Sequence, residues 1–124
     1  MSAQTIHFFF TMREQIKLYH WQTTSYARHK ATDEVIDTLD KHIDTFVEVY
    51  MGKYGRPKMT QKSSTIHIAE MTEKGAVNYV KQCIQKLLGD VVKNLNEQTD
   101  SDLFNIRDEM LAALNQLLYL FTLR

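Results

Sequence analysis

Six side chains of metal-binding type recur at helical intervals over twenty positions of the chain. His29 and Asp33 are four residues apart, and so are Asp44 and Glu48. Residues four apart lie on the same face of an α-helix, so each pair could bind one metal ion. Imidazole and carboxylate ligands together suit Fe(II), with Zn or Mn as possible substitutes. The six residues are His29, Asp33, Asp37, Asp40, Asp44 and Glu48.

This acidic stripe admits two interpretations. On a helical projection the six residues fall within a sector about 100° wide, which is typical of the solvated face of an amphipathic helix. Acidic residues at i, i+4 spacing repel one another, however, and destabilise an isolated helix. Only Lys30, at the edge of the sector, offers local compensation. A bound cation or a partner surface would relieve this repulsion.

The two ligand pairs indicate that the partner is a second copy of the chain. Asp33 and Asp44 are about 16 Å apart along a helix, so the pairs cannot share an ion within one chain. Both pairs are symmetric about a point between residues 38 and 39. An antiparallel copy related by a two-fold axis at that point sets His29 opposite Glu48 and Asp33 opposite Asp44. Such an isologous dimer would complete two equivalent sites.

The scarcity of helix-breaking residues predicts an all-α domain over residues 1–124. One proline and four glycines are present, and apolar residues recur at helical intervals. The segment 52–72 is predicted to be a long crossover between the second and third helices, an arrangement typical of ferritin-like four-helix bundles. The predicted helices span roughly residues 3–23, 27–51, 73–97 and, after N-cap candidates Thr99, Asp100 and Ser101, the remainder of the chain.

Several further residues receive a predicted place in the bundle. Phe9 and Phe10 fit the core, and Cys83, the only cysteine, is interpreted as core filler. His20, near the end of the first helix, could supply another nitrogen to the metal site. Trp21, beside it, is predicted to pack in the core, with a role as a sacrificial electron donor as the alternative.

Composition argues against several classes of function. Fifteen basic residues balance fifteen acidic ones, and neither end of the chain carries a basic tail, so nucleic acid is not an expected partner. No apolar run approaches the length of a membrane span, so no membrane partner is expected. A single cysteine and the absence of a signal-peptide pattern predict a cytoplasmic protein.

The stretch "YHWQ…RHKATDEVIDTLDKHIDTFVEVY" resembles the Dps proteins, which are small ferritin-like iron-detoxifying cages. That family has a His-Trp pair at the end of its first helix, followed by a His and an Asp four apart and later by an Asp and a Glu four apart. The resemblance implies a ferroxidase site between subunits, with iron oxidised by hydrogen peroxide or oxygen. Its ligands would be His20, His29 and Asp33 of one chain and Asp44 and Glu48 of its two-fold mate.

The resemblance also implies iron sequestration, protection from peroxide and a homo-oligomer that extends from the two-fold dimer to a dodecameric cage. His20 and His29 are nine positions apart in the sequence, where the family typically has twelve, so the connector decides whether His20 reaches the site. A di-iron site within one bundle is disfavoured because no glutamate is followed by a histidine three residues later. The alternative function is that of a non-catalytic helical dimer, a structural or assembly protein that retains the ferritin-like fold.

Overall fold

A computed structural model describes residues 3–124, and all regular secondary structure in that range is helical. The predicted all-α four-helix bundle is thereby confirmed. None of the four helices has the length and hydropathy of a membrane-crossing segment. The helices are α1 (Ala3–Gln22), α2 (Tyr26–Tyr54), α3 (Glu73–Leu88) and α4 (Ser101–Leu120).

Contacts between helix ends give the direction of each helix. Lys53, at the end of α2, contacts Asp102, at the start of α4, with 2.7 Å between Nζ and Oδ1. Arg28, at the start of α2, donates to the carbonyl of Phe121 just after α4 and to that of Glu73 at the start of α3. Thus α2 runs antiparallel to α4 and parallel to α3. The order is up, down, down, up, as in ferritin-like bundles with one long crossover.

The crossover (residues 55–72) lies along α1. Near one end of α1 the Nε2 atom of His7 is 2.8 Å from the carbonyl oxygen of Thr65. Farther along, the buried amide of Gln15 donates to the carbonyl of Ala69 at 2.7 Å and accepts from its N–H at 3.0 Å. A buried amide that satisfies both backbone groups of one residue fixes the position of this segment without regular structure.

The helix that carries the acidic stripe is longer than predicted. Ser25 caps its start, because the Ser25 hydroxyl accepts a hydrogen bond from the N–H of Arg28. Gly55 ends it with a φ of 86°, a conformation that favours glycine. Between these limits α2 packs chiefly against α1 and α4.

The predicted third helix extends too far. Residues 73–97 were expected to be helical, but α3 ends at Leu88 and residues 89–99 form turns. Gly89 is the C-cap, and the side chain of Asn96 accepts from the N–H groups of Gln98 and Thr99, which closes a local turn. Val91 is still buried, so its helical spacing reflected contact with the core and not helix continuity.

The core follows most of the predicted apolar positions, with exceptions on α1 and α3. Phe9 and Cys83 are buried as predicted, and burial raises the pKa of the Cys83 thiol to about 12. Phe10 was also predicted to be in the core, but 57% of its surface is exposed. Leu88, an apolar residue that fits the helical spacing of α3, is half exposed as well. Phe10 lies one residue, or about 100°, from the inward-facing Phe9, so the two cannot face the same side of α1.

A polar cluster joins α2 to the start of α4. Asp100 occupies the N-cap position of α4, as the sequence suggested, but its side chain makes no capping hydrogen bond. Its carboxylate instead accepts hydrogen bonds from the Tyr54 hydroxyl and the N–H of Asn96, and it pairs with Lys53 at 3.3 Å. These interactions, the bond from Tyr54 foremost, lower the pKa of Asp100.

We expect Asp100→Asn to lower the melting temperature near neutral pH. A carboxylate whose pKa is lower in the folded than in the unfolded chain stabilises the fold above its unfolded value of about 3.9. That contribution is lost as the pH falls through the folded pKa, so the difference from wild type should shrink below about pH 4. Thermal unfolding followed by circular dichroism over this range measures it.

The matched control is Asp90→Asn, which removes an exposed carboxylate paired with Lys86 at 3.5 Å. It should change the melting temperature little at any pH. An equal loss for Asp100→Asn in acid and at neutral pH would contradict a role for the charged form of Asp100.

Candidate metal centre

A connector of three residues brings the predicted histidines into contact. Only Thr23, Thr24 and Ser25 separate α1 from α2, and the N–H of Ser25 donates to the Thr23 hydroxyl. The rings of His20 and His29 stack with their centroids 4.0 Å apart and their planes 15° apart. The short connector therefore holds His20 against the residue with which it was predicted to share a metal site.

Reciprocal hydrogen bonds orient both rings. The Nδ1 atom of His20 lies 2.7 Å from the carbonyl oxygen of His29, and the Nδ1 atom of His29 lies 2.9 Å from the carbonyl oxygen of His20. A carbonyl oxygen only accepts, so each Nδ1 must carry the proton. In a neutral ring this leaves the Nε2 lone pair of each histidine available to bind a metal ion.

Thr32 is a further member of this cluster that sequence reasoning missed. It is completely buried, and its hydroxyl lies 2.9 Å from Nδ1 of His20 while donating to the carbonyl of Arg28. It can therefore accept a second contact from the His20 N–H. Its position three residues after His29, on the inward side of α2, is the signal that could have revealed it.

Asp33 lies beside His20 at the surface of the bundle. Its Oδ1 atom is 3.9 Å from Nε2 of the buried His20, while the Asp33 side chain itself is mostly exposed. Among residues 3–124 of one copy, however, no three His, Cys, Asp or Glu side chains converge closely enough to hold an ion. The stacked rings of His20 and His29 are one reason, because an ion cannot lie in the planes of two nearly parallel rings. Binding to both requires one ring to tilt.

Asp44 and Glu48 form a separate carboxylate pair one turn apart on the exposed face of α2. The pKa of Glu48 is raised, because its protonated form donates a hydrogen bond to Asp44 and its charged form is repelled by that carboxylate. A cation placed between the two carboxylates would remove this repulsion. About 16 Å of helix still separates this pair from Asp33 within one chain.

The middle of the stripe is partly neutralised by α1. Arg13 holds Asp40 with two contacts, Nε to Oδ1 at 3.1 Å and Nη2 to Oδ2 at 3.3 Å. Sequence analysis placed Asp40 in an uncompensated acidic face and did not find this arginine, which lies on another helix. The stripe therefore consists of two groups of candidate ligands, with an arginine-bound carboxylate between them.

The predicted core position of Trp21 is wrong. Its side chain is 67% exposed, and its ring faces the ammonium group of Lys17 at 5.3 Å. Tyr26 is also exposed, and its ring lies near that of His29, with 6.5 Å between centroids. Because His20 turns inward, its neighbour Trp21 points about 100° away, toward solvent.

Comparison with known proteins assigns the chain to a family whose function is unknown. Residues 20–121 match the family DUF5856, described as a family of unknown function, and the chain belongs to it. An uncharacterized 14.6 kDa protein of Enterobacteria phage T4, from the mobD-ri intergenic region, is 51% identical over 37 residues. That match covers 30% of this chain and 29% of the phage protein. No solved structure matches the chain.

The hydrogen bonds of the histidine pair predict an unusual protonation pattern. Both His20 and His29 should carry the proton on Nδ1 when neutral, because each Nδ1 faces a carbonyl oxygen. Long-range ¹H–¹⁵N correlation spectra of the imidazoles report the tautomer of each ring. Exposed His67 provides the comparison within the same spectrum. Protonation of His20 or His29 on Nε2 would contradict the predicted orientation.

Proposed function

We propose that this DUF5856 protein is a Dps-like ferroxidase that oxidises Fe(II) at a site shared by two copies of the chain. The observation that carries the proposal is the histidine pair, in which reciprocal hydrogen bonds leave both Nε2 lone pairs available, that of His20 beside Asp33. Metal-binding histidines commonly donate their other N–H to a backbone carbonyl, which fixes the tautomer. The proposed physiological role is iron sequestration and protection from peroxide.

The separation of the two ligand groups supports a site between subunits. His20, His29 and Asp33 form one half-site, and Asp44 with Glu48 forms the other, about 16 Å away on the same exposed face of α2. Their symmetric placement about residues 38–39 lets an antiparallel second copy bring unlike halves together. The two-fold dimer would then contain two identical sites, and a cage would add further contacts elsewhere.

Each group has a distinct task in the proposed reaction. The three carboxylates offset the positive charge of iron, and the imidazoles remain ligands in both oxidation states. Each Fe(II) gives up one electron, and two such electrons with two protons reduce one hydrogen peroxide to two waters. Oxygen is the alternative acceptor. Iron enters as the substrate, and Zn or Mn could occupy the same ligands without being oxidised in this way.

We expect the double variant Asp44→Ala/Glu48→Ala to oxidise Fe(II) no faster than buffer does. Removal of both carboxylates deletes one entire half-site while leaving the buried core unchanged. Anaerobic mixing of Fe(II) with protein and then hydrogen peroxide, followed by the absorbance of Fe(III), gives the rate. The matched control is Glu97→Ala/Glu109→Ala, which removes two exposed acids on other parts of the bundle.

Mixing variants tests whether the site is shared. His29→Ala and Asp44→Ala/Glu48→Ala should each be inactive alone. A heterodimer of the two contains one intact site, so unfolding and refolding them together should restore part of the activity. No recovery in a mixture shown to contain heterodimers would contradict a shared site. Absence of catalysis by the wild type would leave the alternative, a non-catalytic helical dimer.

A further inference from the structure

Two contacts fix how α1 lies along α2. His20 meets Asp33, and seven residues earlier on α1 Arg13 meets Asp40, seven residues later on α2. Each step back along α1 therefore corresponds to one step forward along α2. The symmetry point between residues 38 and 39 of α2 lies level with residues 14 and 15 of α1. Arg13 is thus about 2 Å, measured along the helix, from the level of the two-fold point that the ligand pairs define.

Arg13 has donor capacity beyond its own chain. Its guanidinium uses one N–H on Nε and one on Nη2 for Asp40, and one on Nη1 for Glu14 at 3.0 Å. An arginine side chain carries five N–H donors, so two remain. The side chain is about one-third exposed, so a carboxylate of a second copy can reach it from solvent.

Asp37 supplies the matching acceptor. Within residues 3–124 its carboxylate makes no hydrogen bond or ion pair, and it is exposed on the same face. In the antiparallel pair, Asp37 of one copy faces Asp40 of the other, and the two-fold axis repeats this contact. Four carboxylates would then surround the axis. Without a cation between them, their repulsion would oppose the pairing.

We propose that Arg13 is the shared counter-ion of this dimer, binding Asp40 of its own copy and Asp37 of the second copy. Two such bridges, one on each side of the axis, place two guanidinium groups among four carboxylates. Because the bridge forms only when Asp37 faces Asp40, it selects the one antiparallel register that also aligns the metal ligands. The inference rests on the same two-fold pairing as the proposed function but requires no metal.

Two exposed aromatic residues lie on the side of α1 that carries Arg13, and they add apolar area there. Phe10 and Trp21 are 57% and 67% exposed, and they lie on opposite sides of the level of the axis. On a helical projection both are within about 80° of Arg13. A second copy would cover them at the two ends of the contact, with the charged bridge at its centre. Their burial would supply the hydrophobic contribution that the polar face of α2 lacks.

The test is a double-mutant cycle on dimer dissociation. Sedimentation velocity over a dilution series, without metal, gives the dimer constant for wild type, Arg13→Gln, Asp37→Asn and the double variant. Arg13→Gln should weaken the dimer by about tenfold or more. Asp37→Asn should weaken it in the wild-type background but strengthen it when Arg13 is already replaced, because only repulsion from Asp40 then remains.

The matched control is Arg107→Gln, which removes an arginine paired with Asp108 on α4 and should leave the dimer constant unchanged. Thermal melts identify any variant that fails to fold. Equal effects of Asp37→Asn in both backgrounds, or a monomeric wild type, would overturn the inference. If the wild type does not oxidise iron but the double-mutant cycle gives the predicted result, the proposed function is wrong and the role of Arg13 stands. If a shared site oxidises iron but the effects of Arg13→Gln and Asp37→Asn on the dimer constant are additive, only the role of Arg13 is wrong.

Discussion

The guanidinium of Arg28 ties the ends of all four helices together next to the histidine pair. It donates to the Tyr19 hydroxyl of α1 at 2.9 Å, to the carbonyl of Glu73 in α3 at 2.8 Å and to that of Phe121 after α4 at 3.2 Å. The Glu73 carboxylate balances its charge at 3.2 Å. A largely buried cation is tolerated only when its donors are satisfied, so this network fixes where α2 begins and therefore where His29 lies.

The same hydrogen bonds serve the fold and the proposed chemistry at this end of the bundle. The carbonyls of His20 and His29 lie near the end of α1 and in the first turns of α2, and each is paired with the imidazole of the other. Thr32 adds a buried hydroxyl to the pair. Any change that separated the two helices would also release both rings, so the geometry of the half-site is coupled to the packing of α1 on α2.

Sequence periodicity predicted what depends on residues close together in the chain. The existence of four helices, the crossover and the i, i+4 spacing of His29 with Asp33 are local features. Sequence periodicity does not predict contacts between helices, such as the pairing of Arg13 with Asp40, which are 27 residues apart. The exposure of Trp21 was missed for a related reason. Its aromatic type suggested a core position, but the rotation of α1 about its axis decides which side the residue faces.

The two connections on either side of α2 differ in how much length they can lose or gain. Eighteen residues of crossover could reach about 60 Å if extended, whereas α1, along which it lies, is about 30 Å long. The connector 23–25 has no such slack, since it joins two antiparallel helices whose histidine rings touch. Relatives in this family should therefore accumulate insertions and deletions in the crossover while the connector keeps its length. Alignments anchored on the connector should then place the positions of the proposed ligands reliably.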